Sequence, residues 1–139
     1  MSRHDDLATI TRAWRTVTIS DFAAFDRVFV SGVIDRDPSP DQGAGSRGFK
    51  AFFTMLRSAF PDLRVSVERL VQNKTDVAMA DAFHGTCKGA FAGIAPTGKA
   101  ITACGVQVAR FENGRIVRRW GSSDELGILK QRGARIARE

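Results

Sequence analysis

A chain of 139 residues with a net charge of +6, 43% hydrophobic and 26% charged side chains, has the makeup of one globular domain spanning 1–139. No apolar run approaches the ~18 residues of a spanning helix, and the opening Ser2-Arg3-His4-Asp5-Asp6 is no signal peptide, so a cytoplasmic protein without membrane contact is expected. Cys87 and Cys104 lack a CxxC partner and His4 and His84 are the only histidines, which points to free thiols and no metal centre.

From the start, Leu7, Ile10, Ala13, Trp14 and Val17 share one helical face, predicting a helix over 5–17. Asp21 suits the cap of a shorter helix carrying Phe22, Phe25, Val28 and Phe29. Residues 35–45 form a polar loop with two prolines, either a lid or a mobile rim over 38–45. Ser46 then caps a helix over 47–60 with Phe49, Phe52, Phe53, Leu56 and Phe60 along it, stopped by Pro61.

The period changes to two after Pro61. Leu63, Val65 and Val67 alternate with polar residues, and a turn follows at 73–76. Val77, Met79 and Phe83 then alternate with Ala78, Ala80, Ala82 and His84, a methyl-sized face that would leave room for a packed helix or a cavity. A glycine-rich loop over 89–98 leads to a long strand in which Ile101, Ala103, Gly105, Gln107, Ala109 and Phe111 share a face. Asn113-Gly114 is a tight-turn signal. In the last strand Ile116, Arg118 and Trp120 alternate with Val117, Arg119 and Gly121; a helix led by Asp124 and a basic tail from about 133 close the chain. This is an α+β domain with helices on one face of a strongly curved sheet, and the aromatic side of the last strand is expected to form a homodimer.

The basic excess is concentrated late: residues 110–139 hold eight Lys and Arg against four Asp and Glu. No aromatic-interleaved recognition motif accompanies it, so nucleic acid is not an expected partner. Basic groups near a cleft would attract an acidic or phenolate-bearing small molecule instead.

Residues 45–61, the loop 89–99, Glu112 to Val117, and Trp120 with Asp124, Gly127, Leu129 and Gln131 resemble the SnoaL-like polyketide cyclase family, a likeness running from the first helix to Gly133. The resemblance implies a cone-shaped α+β barrel, shared with ketosteroid isomerase and nuclear transport factor, whose interior holds an apolar ligand. It implies cofactor-free chemistry on aromatic polyketides of the anthracycline type: intramolecular aldol closure in some members, hydroxylation in others. The family's acid–base aspartate and its neighbouring histidine fall here on Gly121 and Gln107, neither of which transfers protons.

An aldol closure needs a base beside a carbonyl, a stabilised enolate and an acid for the new alkoxide. The catalytic candidates are Gln107 as a carbonyl donor, Arg119 as an anion stabiliser, and Asp124 or His84 as the proton carrier. Trp14, Phe25, Phe29, Phe52, Phe53 and Phe83, with Gly121, would shape the substrate pocket, although aromatics at helical spacing also serve as core. Loss of the carboxylate favours a polyketide hydroxylase, working on an electron-rich substrate or with a partner reductase. A cyclase or isomerase using His84 or Asp124 and a non-catalytic ligand-binding module are the alternatives.

Overall fold

The computed structural model describes residues 22–39, 41–90 and 97–124. Trp14 and the helix expected around it, the tip of the glycine-rich loop, the helix expected after Asp124 and the basic tail lie outside them. The chain runs α1 (Phe22–Val28), β1 (Phe29–Asp35), α2 (Gly45–Ala59), β2 (Arg64–Gln72), β3 (Asp76–Thr86), β4 (Ala100–Glu112) and β5 (Arg115–Ser123). The strands form one curved mixed sheet in the order β1-β5-β4-β3-β2, antiparallel throughout except for the parallel β1–β5 pair.

β1 corrects the sequence reading, in which Phe29 was helical and no strand preceded the third helix. Phe29 instead opens β1 opposite Ile116, and Asp35 closes it opposite Arg119. The strand carries no alternation, since Ser31, Gly32 and Ile34 are exposed and only Phe29 and Val33 are deeply buried. Its pairing depends on β5, far along the chain, so no local pattern announces it. The cap of α2 differs as well: Ser46 is buried within the first turn, and Ala44 occupies the cap without a side-chain bond.

Asn113 (φ 51°) and Gly114 (φ 76°) make the β4–β5 turn in the left-handed region, as Asn-Gly favours. A register shift follows, pairing Arg110 with Arg118 but Phe111 with Ile116. The bulge turns Ile116 into the core while Trp120 stays on the outer face, with the Arg110 and Arg118 guanidinium carbons 5.6 and 5.9 Å from its ring centre. Strict alternation had placed Ile116 and Trp120 together; the extra residue breaks that phase.

Two apolar clusters fill the concave side. One gathers Phe25, Phe29, Val33, Phe49, Val77, Met79, Ala109, Phe111 and Ile116; the other Leu56, Ala59, Phe60, Leu63, Cys87, Ile101 and Ala103. α2 contributes to both through Phe49 and Leu56, and β4 through Phe111 and Ile101. Between the clusters the inward rows carry Asp81 on β3, Gly105 and Gln107 on β4, and Arg119 and Gly121 on β5. A break in hydrophobicity at the same depth on three adjacent strands leaves the interior open there. Among the described residues no helix is long and apolar enough to cross a membrane.

Candidate active site

The opening between the clusters is a cavity of about 480 Å³, within the range of small-molecule sites. One wall is apolar, built from Phe52, Phe53 and Leu56 of α2 with Val65, Phe83 and Ala103 of the sheet. The other is polar, built from Asp81, Gln107, Arg119, Gly121, Ser122 and Ser123, with Asp37, Pro38, Ser39 and Gln42 at the rim.

Asp81 is the group the sequence reading passed over. It lies in phase with Val77, Met79 and Phe83, so the alternation that buries those side chains buries its carboxyl too, leaving the residue 6% exposed. Its Oδ2 has no hydrogen-bond partner among the described residues. Burial raises the Asp81 carboxyl above the ordinary aspartate value, opposed in part by a hydrogen bond from Gln107 and by the Arg119 charge. An acid in an inward row of an otherwise apolar alternation was the available signal.

Arg119 is held from behind. Its Nη1 donates to both oxygens of Asp35, at 2.9 and 3.2 Å, and to the Asp37 carbonyl at 3.1 Å, while Nη2 donates to Gln107 Oε1. The Asp35 side chain is 6% exposed and also accepts from Gln42 Nε2 at 3.0 Å. The Gly121 amide donates to Asp37 Oδ2 at 2.9 Å, tying the loop after β1 to the end of β5. Of the loop expected to be a lid or rim, Pro38, Ser39 and Gln42 line the cavity, with Gln42 bonded to Asp35. Arg119, expected from sequence to stabilise an anion, therefore reaches the cavity with its charge already paired to Asp35.

The sequence of the chain matches the SnoaL-like polyketide cyclase family over residues 8–132. The chain belongs to the SnoaL-like polyketide cyclase family. Among solved structures, this SnoaL-like protein resembles TsrD from Streptomyces laurentii with a TM-score of 0.90 at 21% identity, covering 97% of this chain and 99% of that one. It resembles IdmH from Streptomyces antibioticus, named as a proposed polyketide cyclase, with a TM-score of 0.83 at 23% identity and coverage of 93% and 99%. For AclR from Streptomyces galilaeus, named as a proposed hydroxylase, the values are 0.82, 22%, 95% and 98%. These likenesses show the cone fold. No curated protein matches the chain significantly.

Within the SnoaL-like cone, Gln107 and Gly121 are register partners across β4 and β5. A methyl group on Gly121 would collide with Gln107 Oε1 and lie 2.6 Å from Arg119 Nη2. The space where a family carboxylate was expected is thus occupied by the Gln107–Arg119 contact, while the buried Asp81 carboxyl enters the cavity from β3.

The other sequence candidates divide by location. Gln107, Arg119, Phe52, Phe53, Phe83 and Gly121 line the SnoaL-like cavity. Phe25 and Phe29 do not: they stack on each other at 4.2 Å inside the first apolar cluster. His84 faces the opposite side of the sheet, with Nε2 3.2 Å from Ser66 Oγ and Nδ1 3.3 Å from Thr102 Oγ1. Asp124 is exposed at the end of β5, its amide donating to the Cys104 carbonyl at 3.0 Å, and does not line the cavity. The methyl-sized face of β3 proves to be the outer one, so its small side chains do not create the cavity.

Proposed function

We propose that this SnoaL-like protein is an acid–base catalyst acting on an aromatic polyketide-type carbonyl compound, with Asp81 as the proton carrier, in an aldol-type ring closure or an isomerisation. The observation that carries the reading is the buried Asp81 carboxyl in the cavity wall, with one oxygen unpartnered among the described residues. As carboxylate it takes the proton beside a carbonyl; as acid it returns one to the alkoxide formed when the carbon–carbon bond closes. Gln107 Nε2 and the Ser123 hydroxyl, 3.4 Å apart, supply donors beside it for the developing enolate oxygen. The apolar wall of Phe52, Phe53 and Phe83 suits a flat polycyclic ring. Hydroxylation, favoured from sequence because the family carboxylate was missing, loses that ground once the cavity contains Asp81.

Incubating the purified protein with anthrone and anthraquinone polyketide intermediates, with and without a quinone reductase, followed by chromatography and mass spectrometry, tests the reading. A product consistent with acid–base chemistry is an isomer of unchanged mass, or a ring-closed product that has lost one water. A protein-dependent gain of one oxygen would instead make it a hydroxylase, and saturable binding without conversion would make it a ligand-binding module.

A further inference from the structure

Arg119 has no acceptor atoms, and this constrains the residue in front of it. A guanidinium offers only N–H groups, so the Gln107 amide must present its oxygen to Arg119 and turn its NH2 the other way, toward Ser123 and Asp81. A glutamine without such a neighbour is free to rotate and would offer a carboxyl whichever end suited it. Arg119 is itself immobilised by the Asp35 carboxylate and the Asp37 carbonyl, and Gly121 leaves the space in which Arg119 and Gln107 meet.

We propose that Arg119 is a positioning residue, clamped by Asp35 so that it locks the Gln107 amide with its NH2 permanently toward Asp81 and the reacting oxygen. The inference deepens, and rests on, the reading of Asp81 as the cavity's acid–base group. A locked NH2 favours the ionised carboxyl, a stronger acceptor than the carbonyl oxygen of the acid, whereas a free amide also serves the acid by turning its oxygen to the O–H. The lock therefore holds the Asp81 carboxylate in readiness against the burial that favours its acid form. Among the described residues the charged groups lining the cavity are Asp37, Asp81 and Arg119, with Asp35 behind Arg119, and α2 and β2 contribute no charge to the lining.

The test is a 13C NMR pH titration of Asp81 in full-length protein labelled at aspartate carboxyls. It reads the amide orientation without turnover, so its failure is distinct from failure of the acid–base reading. In the wild type, Gln107→Leu is expected to lower the Asp81 ionisation constant about tenfold or more. In an Asp35→Asn/Arg119→Met background, which removes both charges together, the same substitution is expected to change it less than about twofold, because the amide there is free. Arg119→Lys, also donor-only, is expected to keep the wild-type constant. Equal Gln107→Leu effects in both backgrounds, or an Arg119→Lys protein that titrates like Asp35→Asn/Arg119→Met, overturns the proposal. Should the double variant not fold, Gln107→Glu decides with Arg119→Lys. One Glu oxygen takes the Arg119 contact and the other faces Asp81, lowering the ionisation constant more than Gln107→Leu does; a constant at or above the wild-type value overturns it.

Discussion

Asp81 and Gly105 are register partners across β3 and β4, and a methyl group at position 105 would lie 2.8 Å from Asp81 Oδ1. The glycine clears the ground beside the one carboxyl that the inward row of β3 brings into the cavity. Asp81→Asn keeps the shape and removes the proton, so turnover of a converted substrate is expected to fall about 10²–10⁴-fold with ligand affinity nearly unchanged. Steady-state kinetics beside calorimetric titration of the ligand check this; retained turnover in Asp81→Asn would remove the carboxyl from the mechanism.

The same residue has a signature in stability. Because burial raises the folded-state value of Asp81, the folded protein still binds a proton at pH values where the unfolded chain has released it. Stability is therefore expected to decline as pH rises from the ordinary aspartate value of 3.8 through the higher folded-state value. Denaturant melts of wild type and Asp81→Asn across that window are expected to diverge, the variant gaining relative stability at the higher pH. Parallel curves would mean that the carboxyl is not buried in solution.

Position 121 offers a test of the Gln107–Arg119 contact. Restoring an aspartate there by Gly121→Asp is expected to give no gain in turnover and to destabilise the protein, since its Cβ collides with the Gln107–Arg119 contact. The smaller Gly121→Ala is expected to cost about 1–3 kcal/mol, measured by chemical denaturation. A stable and more active Gly121→Asp protein would show that this contact yields.

The aromatic residues separate by role. Phe25 is fully buried and stacked on Phe29, so Phe25→Ala is expected to cost about 3–5 kcal/mol. Phe52 is half-buried in the cavity wall, so Phe52→Ala is expected to weaken binding of a polycyclic phenol about tenfold with a smaller loss of stability. Thermal melts paired with ligand titrations distinguish the two patterns, and a Phe25→Ala protein that melts like wild type would contradict the packing described.

His84 lies behind the sheet between Ser66 and Thr102. His84→Ala is expected to leave turnover and ligand affinity within about twofold of wild type, because the two faces of a strand are separated by the sheet itself. A loss of a hundredfold would require His84 to reach the cavity by some other arrangement.

Local patterning already contained much of this protein. The helical spacing of Phe49, Phe52, Phe53 and Leu56, the alternation of β3 and β4, and the Asn113-Gly114 turn each arise from contacts between near neighbours in the chain, and together they specified a curved α+β sheet with helices on one face. The placement of Gln107, Arg119 and Gly121 in a common interior was legible for the same reason, since alternation assigns a face to every residue of a strand. What local pattern does not encode is which face meets which partner. The parallel β1–β5 pairing, the bulge that parts Ile116 from Trp120, and the choice of the Asp81 row over the His84 row as the inner one were decided by packing against α2 and by register between distant strands. Asp35 shows the division most clearly: in sequence it opens a polar loop, and only the meeting of β1 with β5 sets it against Arg119 and turns an exposed-looking acid into the buried anchor of the site.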